Sequence, residues 1–127
     1  MDSKWQKLYQ QEIKDCGGEK TFIAHKIKEK GVLIKYIKKF TSRSGKIIEA
    51  GCGTGIIATY LSNLNFKVTA VDNDEDMLNL AKRMAKNFTQ KPVFLKKDLY
   101  NLNFLENQFD LCFNHGVLEH FNDIEII

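Results

Sequence analysis

The sequence predicts an α/β fold in which a doubly wound, mostly parallel sheet follows a set of N-terminal helices. Apolar residues before Lys46 recur at helical spacing, whereas short apolar runs alternate with longer amphipathic runs after it. Strands that alternate with helices favour a parallel sheet with right-handed crossovers. The stretch Gly51-Cys52-Gly53-Thr54-Gly55 supports this prediction, because its glycines allow a sharp turn between a strand and a helix.

Three helices are predicted in the segment 1–45. Gly17-Gly18 would end the first helix, Gly31 the second, and the break at 42–45 the third. We expect the third helix to pack on the sheet through one apolar face. The apolar residues that define the helices are Trp5, Leu8, Tyr9, Ile13 and Cys16 in the first, Phe22, Ile23 and Ile27 in the second, and Val32, Leu33, Tyr36, Ile37 and Phe40 in the third.

The segment 46–127 is predicted to hold strands at 46–50, 67–71, 93–97 and 109–114, with helices at 54–64 and 74–88. Near its end, Asn122 or Asp123 resembles a helix cap, and the helix it would start has no room to finish. We therefore expect the sequence to be the N-terminal part of a longer domain. The helix residues expected to face the sheet are Ile57, Tyr60, Leu61 and Leu64 in one helix and Met77, Leu78, Ala81, Met84 and Ala85 in the other.

Length and composition fit one domain with a hydrophobic core, because 43% of the 127 residues are hydrophobic. No apolar run approaches membrane-spanning length, and charged and amide residues fill positions 2 to 15, unlike a signal peptide. Cys16, Cys52 and Cys112 form no C-x-x-C pair, so they are expected to be reduced thiols. These features predict a soluble, cytoplasmic protein with no membrane partner.

The charge is distributed unevenly along the chain. Residues 1–45 contain 11 Lys or Arg and 5 Asp or Glu, a net charge of +6, whereas residues 46–127 carry −3. The lysines fit solvated helix faces, and they also fit a surface that binds an acidic substrate. A nucleic-acid partner is not expected, because no arginine cluster or interleaved aromatic residues accompany the lysines.

A ligand site is predicted where the first strand meets the glycine turn. The glycines let the backbone lie close to a bound molecule, and Asp72 follows the second strand, where a ribose-binding carboxylate is expected. The dinucleotide fingerprint G-x-G-x-x-G would need a glycine at position 56, which is Ile56.

Further polar motifs follow the later strands in order. They are Asp72-Asn73-Asp74, Lys97-Asp98-Leu99 and the stretch from Asn114 through Gly116-Val117-Leu118-Glu119-His120. With the glycine turn, this ordered set makes the segment 46–121 resemble the class I S-adenosylmethionine-dependent methyltransferases, in particular the branch that methylates small molecules. The resemblance implies a partial Rossmann-like sheet in the order 3-2-1-4. Strand four would then be an open edge that a C-terminal part or a partner chain covers.

The resemblance also implies the residues that bind S-adenosylmethionine. Glu49 would hold the amino group of the methionine part, and Asp72 would accept hydrogen bonds from the ribose hydroxyls. Asp98 and Leu99 would contact the adenine, with Asn73 and Met77 at its border. The full predicted set of cofactor-binding residues is Glu49, Gly51, Cys52, Gly53, Gly55, Asp72, Asn73, Met77, Asp98, Leu99 and Asn114.

No catalytic residue can be assigned firmly from the pattern. His115, Glu119 and His120 are candidate proton acceptors or substrate contacts, but a structural role fits them as well. A metal site is not expected, because Cys112 falls in a strand predicted to be buried and the spacing matches no zinc pattern. Trp5 and Tyr9 either form a core stripe or belong to an N-terminal helix that covers the cofactor.

The predicted function is methyl transfer from S-adenosylmethionine to a small-molecule acceptor by in-line displacement at the sulfonium methyl. One alternative is a non-catalytic half domain that binds a cofactor or a partner. A second alternative is a nicotinamide-dependent dehydrogenase, which shares the strand, turn and helix but needs a third glycine at another spacing.

Overall fold

The centre of the fold is a four-stranded sheet in the order β3-β2-β1-β4. The structure, a computed structural model, describes residues 3–102 and 108–114. All strand pairs are parallel, with Ile47 beside Val68 on one side and Leu111 on the other. The predicted strand order is therefore confirmed. The elements are α1 (Lys4–Asp15), α2 (Glu19–Glu29), α3 (Gly31–Phe40), β1 (Lys46–Ala50), α4 (Ile56–Asn63), β2 (Lys67–Asp72), α5 (Glu75–Ala85), β3 (Val93–Lys96) and β4 (Leu111–Phe113).

The main hydrophobic core lies between the sheet and the helices. Alternate residues of a strand point to opposite faces, so Ile47 joins this core while Ile48 and Ala50 join a smaller cluster on the other face. All five helices contribute buried residues to the main core, among them Leu61 of α4. The smaller cluster is completed by partly buried residues that include Leu95 and Leu99.

The N-terminal segment is helical as predicted, but one boundary differs. Ser3 caps α1 by accepting a hydrogen bond from the Gln6 backbone N–H at 3.0 Å, and Gly17 and Gly18 follow the helix with φ of 103° and 115°. Gly31 was expected to end the second helix and instead begins α3, since only Lys30 separates α3 from α2.

The apolar stripe expected to pack α3 on the sheet is wrong at three positions. Val32, Tyr36 and Phe40 are 70%, 52% and 71% exposed. Ile37 of the predicted stripe is buried in the main core, and Ile34, which the stripe did not include, is buried there as well. Helical spacing identified an apolar arc, but the arc is wider than the contact that α3 makes, and the sequence cannot show which part of it is covered.

Two helices after β1 are shorter than predicted. α4 begins at Ile56 because Gly53 and Gly55 have positive φ and cannot belong to a right-handed helix. α5 is capped by Asp74, whose carboxylate accepts hydrogen bonds from the backbone N–H groups of Asp76 and Met77. The five residues predicted to face inward on α5 are all buried.

Strand β4 is half buried. Phe113 is buried, whereas Cys112 is exposed, which contradicts the expectation of a buried cysteine. The reason is the two-residue periodicity of a strand, which places Cys112 on the face opposite Phe113.

No helix in the described part of the chain combines the length and apolar character needed to cross a bilayer.

Gly55 should be required for stability, because it has φ of +67° and a Cβ built on it would lie 2.9 Å from the Cβ of Ala81 and 3.0 Å from the Phe94 ring. We expect Gly55→Ala to lower the free energy of unfolding by about 2–4 kcal/mol through backbone strain and overpacking. Urea denaturation measures this change. Gly31→Ala is the matched control, since no described atom outside the adjacent chain and helix backbone lies within 4 Å of its added Cβ. Equal effects of the two substitutions would contradict the packing role.

Candidate functional site

A cavity of about 630 Å³ lies at the carboxyl ends of β1, β2 and β3. Ligands of open parallel sheets bind at this edge. One group of lining residues belongs to the strand ends and the segments that follow them, and a second group comes from α1, α2, α3 and Lys30. The first group is Glu49, Gly51, Cys52, Gly53, Thr54, Ile56, Ile57, Asp72, Asn73, Asp74, Met77, Lys97, Asp98, Leu99 and Tyr100, and the second is Trp5, Tyr9, Lys26, Lys30 and Leu33.

The glycine turn is fixed by hydrogen bonds to the end of β2. The backbone N–H groups of Gly51 and Cys52 donate to the Val71 carbonyl at 2.8 and 2.9 Å. Gly51 and Gly53 have φ of 72° and 55°, a conformation that other residues rarely adopt. The turn therefore presents backbone to the cavity, without side chains at these two positions.

Asp72 joins the glycine turn to the start of α5. Its Oδ2 accepts a hydrogen bond from the Gly53 N–H and its Oδ1 accepts one from the Asp74 N–H, both at 3.0 Å. Burial raises the pKa of this carboxyl, and the two hydrogen bonds oppose that rise. A carboxylate has about four acceptor positions, so Asp72 retains capacity to accept bonds from a ligand.

Glu49 is buried at the cavity with one oxygen unsatisfied. The residue is 5% exposed, and its Oε1 has no hydrogen-bond partner within the described part of the chain. Burial raises its pKa from 4.5 to about 8; a hydrogen bond from the Ala58 backbone opposes this rise and the nearby charge of Asp72 adds to it. A buried acceptor without a partner is costly, so the arrangement favours a ligand that donates a hydrogen bond or carries a positive charge.

The residues after β3 complete the wall. The Asp98 Oδ1 accepts a hydrogen bond from the Tyr100 N–H at 2.9 Å, so this carboxylate forms a turn as well as lining the cavity. Met77, which is buried, and Asn73, which is exposed, line the same part of the cavity.

The Cys52 thiol is unsuited to act as a nucleophile. Burial and the nearby charges of Glu49 and Asp72 raise its pKa well above the ordinary value, which disfavours a thiolate.

The cavity brings together nine of the predicted cofactor-binding residues and excludes two. Gly55 is not among the lining residues and packs instead against α5 and β3. Asn114 is exposed and does not line the cavity either. The candidates His115, Glu119 and His120 lie outside the described residues.

Comparison with known proteins identifies the family. The profile of a family described as "Methyltransferase domain" matches residues 48–127. The chain belongs to this family. Among its relatives is a Bacillus subtilis protein named "Putative methyltransferase YqeM". It is 31% identical over 94 residues, which cover 71% of this chain and 38% of YqeM. The malonyl-[acyl-carrier protein] O-methyltransferase of Bacillus anthracis is 31% identical over 91 residues, 69% of this chain and 33% of that protein.

A solved structure of the PH0226 protein from Pyrococcus horikoshii has the same fold. It is 29% identical with a TM-score of 0.68, and the match covers 81% of this chain and 47% of that one. The chain thus spans about a third of the length of the curated relatives named here and just under half of this structure.

The sequence prediction did not include several cavity residues of this methyltransferase domain. Lys26, Lys30 and Leu33 come from the N-terminal helical segment and its connection. The only signal for the lysines was the excess of positive charge before Lys46, which fitted a solvated surface equally well.

The sequence left open whether Tyr9 belongs to a core stripe or to a helix beside the cofactor site, and Tyr9 fits both interpretations. It packs edge-on against Phe22, with ring centroids 6.5 Å apart, and also lines the cavity. Its helix is tied to α5 by a hydrogen bond of 3.2 Å from the Gln6 side chain to the Asp76 carbonyl. The first helix therefore contributes to the core and to the cavity wall.

The raised pKa of Glu49 should make stability of the ligand-free protein depend on pH. Between pH 4.5 and about 8 the Glu49 carboxyl is ionised in the unfolded state but still protonated in the folded state. The free energy of unfolding therefore falls as pH rises. Relative to the neutral isostere Glu49→Gln, the free energy of unfolding of the wild type should fall by up to about 5 kcal/mol over this window. Urea denaturation across the pH range measures the difference. Parallel profiles for the two proteins would contradict the assignment.

Proposed function

We propose that this chain is the cofactor-binding part of an S-adenosylmethionine-dependent methyltransferase that acts on a small-molecule acceptor. The observation that carries the proposal is the buried Glu49 oxygen, which has no hydrogen-bond partner among the described residues and lies in the same cavity as Asp72. An ammonium group with a ribose nearby is the ligand chemistry that these two carboxylates fit. Family membership supports the same reaction class.

The amino group, the ribose and the adenine of the cofactor each have a candidate partner. Glu49 would pair with the amino group of the methionine part, and the remaining acceptor positions of Asp72 would bind the ribose hydroxyls. Asp98 and Leu99 would contact the adenine, with Asn73 and Met77 beside it. Gly51 and Gly53 leave room for the ligand to approach the backbone.

The bound cofactor supplies an electrophilic methyl group on a positively charged sulfur. The chain contributes orientation, because residues after β1, β2 and β3 hold the ligand at several points. Leu33 and Trp5, which also line the cavity, would limit access of water to the reacting centre. His115, Glu119 and His120 remain sequence-based candidates for accepting a proton from the acceptor.

The choice of a small-molecule acceptor rests on the size of the site. Residues of α1, α2 and α3 line the cavity of about 630 Å³ together with the strand ends, and a cavity of this size supports a small ligand. Relatives differ in the acceptor that their names imply. They include a ribosomal protein L11 methyltransferase of Thermotoga neapolitana and a ubiquinone biosynthesis O-methyltransferase of Rickettsia bellii.

Removal of the Asp72 carboxylate should weaken cofactor binding. A hydrogen bond to a charged acceptor contributes about 1.5–3 kcal/mol, so Asp72→Ala is expected to lower affinity for S-adenosylhomocysteine by about 10- to 100-fold. Titration calorimetry measures this change. Glu75→Ala is the matched control, because it removes the same charge from a side chain that is 73% exposed at the start of α5.

Loss of the bonds to Gly53 and Asp74 could also disturb the glycine turn in Asp72→Ala. Asp72→Asn therefore serves as a second variant, since its amide oxygen can still accept one of these bonds. Circular dichroism checks that both variants fold. Affinity equal to that of the wild type in a folded Asp72→Ala protein would overturn the ribose assignment.

Glu49→Gln should weaken binding of ligands that contain the methionine part. Affinity for S-adenosylhomocysteine is expected to fall by about 10-fold or more, because the amide cannot form a charged pair with the amino group. Affinity for 5′-methylthioadenosine, which lacks the amino acid, should change little. Calorimetry with both ligands distinguishes this role from a general loss of structure, since a uniform loss would argue against a contact to the amino group.

A further inference from the structure

A second cavity, of about 390 Å³, lies at the edge of the sheet where β1, β2 and β3 begin. The cavity described above lies at the other edge, where these parallel strands end. Lys46, Lys67 and Lys91 line the second cavity, and among the described residues that line it none is acidic. The lining is therefore positively charged, although the segment 46–127 as a whole carries −3.

The three lysines form a row across neighbouring strands. Lys46 and Lys67 are the first residues of β1 and β2 and lie side by side in the strand register. Val93 lies beside Thr69, so the same register, continued back by two residues, places Lys91 beside Lys67. Neighbouring strands are about 4.8 Å apart. The lysine row therefore holds three like charges close together.

Hydrogen bonds fix the backbone at the start of β1 and β2. The Lys46 N–H donates to the Asp110 carboxylate at 2.8 Å, and the Lys67 N–H donates to the Gly45 carbonyl at 3.0 Å. Asp110 directly precedes β4 and lies beside Lys46 when the register of β1 and β4 is continued by one residue. Its charge therefore offsets part of the positive charge at one end of the row.

The other end of the row is fixed by α4. The Asn63 side chain accepts a hydrogen bond from the Gln90 N–H at 3.0 Å and donates one to the Gln90 carbonyl at 2.8 Å, directly before Lys91. The lysines are exposed, but the fold sets the positions from which their side chains extend.

The lysine row is unfavourable for the stability of the free protein. Like charges on neighbouring strands repel each other. No ion pair within residues 3–102 and 108–114 includes a lysine of the row. A group of like charges that the fold holds beside a cavity fits a ligand with several negative charges.

The residue types favour a phosphate ligand of small size. Ammonium groups bind phosphate as point charges, whereas the arginine fork matches a planar carboxylate, and the described lining of the cavity includes no arginine. A cavity of about 390 Å³ is in the range of small-molecule sites. Single-stranded nucleic acid stacks on accessible aromatic rings, but Phe66 of the lining is buried and Phe109 is partly buried.

We propose that Lys46, Lys67 and Lys91 bind an oligophosphate group, either free or as part of a nucleotide. The site lies at the edge of the sheet opposite the cavity proposed for the cofactor. A ligand bound there offsets the repulsion within the row. This inference does not depend on the proposed methyltransferase function.

The first test is an NMR titration of the isotope-labelled protein with tripolyphosphate and with orthophosphate. We expect tripolyphosphate to bind at least about 10-fold more tightly, because it can contact several lysines at once. The largest shifts of backbone amide signals should occur at 45–47 and 67–69, and not at Gly51 and Gly53 of the glycine turn.

The row variant combines Lys46→Gln, Lys67→Gln and Lys91→Gln. We expect it to bind tripolyphosphate at least about 10-fold more weakly than the wild type, because the side chains stay polar but lose their charge. Circular dichroism checks that the variant folds. The wild-type titration tests the proposal without the variant.

The matched control combines Lys20→Gln, Lys35→Gln and Lys38→Gln. It removes the same charge from exposed positions of α2 and α3 that line neither cavity. Its affinity for tripolyphosphate should stay within about 3-fold of the wild type at an ionic strength of about 0.1 M, where attraction between exposed charges is screened beyond about 10 Å.

Four results would overturn the proposal. The wild type could bind the two phosphates equally, or the row variant and the control could lose the same affinity, which would indicate general attraction to positive charge. The largest shifts at the glycine turn would place the anion in the other cavity. Tighter binding of a single-stranded oligonucleotide than of tripolyphosphate would assign the row to nucleic acid.

Titration with ATP identifies the source of the oligophosphate. Affinity equal to that of tripolyphosphate supports recognition of the phosphates alone. Tighter binding of ATP, lost in the row variant, supports a nucleotide as the ligand.

Discussion

The hydrogen bonds between the glycine turn and the end of β2 constrain most of the site. They join the Gly51 and Cys52 amides to the Val71 carbonyl, and the Gly53 amide to the Asp72 carboxylate across 19 residues of sequence. The bond from Gly53 also fixes where the Asp72 carboxylate points. Because Asp72 also accepts a bond from the Asp74 amide, the turn, β2 and the start of α5 form one connected unit. The wall of the cavity is therefore rigid where ligand contacts are proposed.

Negative charge at this wall is costly in the empty protein. Burial raises the pKa of both Glu49 and Asp72, and the charge of Asp72 adds to the rise at Glu49. The Glu49 Oε1, which finds no hydrogen-bond partner in residues 3–102 and 108–114, adds to this cost. Local structure that is unfavourable for stability is common where a protein binds a ligand. A cationic ligand would compensate both the charge and the missing hydrogen bond.

The N-terminal helices serve the core and the cavity together. Tyr9 packs on Phe22 and also lines the cavity, while Ile13 of the same helix is buried in the main core. The positive charge of this segment is divided in the same way. Lys26 and Lys30 line the cavity, whereas the lysines of α3 are exposed on the helix surface. The sequence pattern alone could not separate these two groups, because both occur at ordinary helical spacing.

The sequence by itself determined the alternation of strands and helices, the glycine turn and the acidic residues at the ends of β1 and β2. Those features depend on local periodicity and on the rule that parallel strands end at one edge, so residues distant in sequence could be predicted to meet. The tertiary structure decided which side chains complete the cavity, and it assigned Gly55 to packing against Ala81 and Phe94. It also decided that Val32 and Phe40 are exposed. The physical reason is that burial and contact depend on which elements become neighbours in space, whereas spacing along one helix or strand reports only which residues share a face.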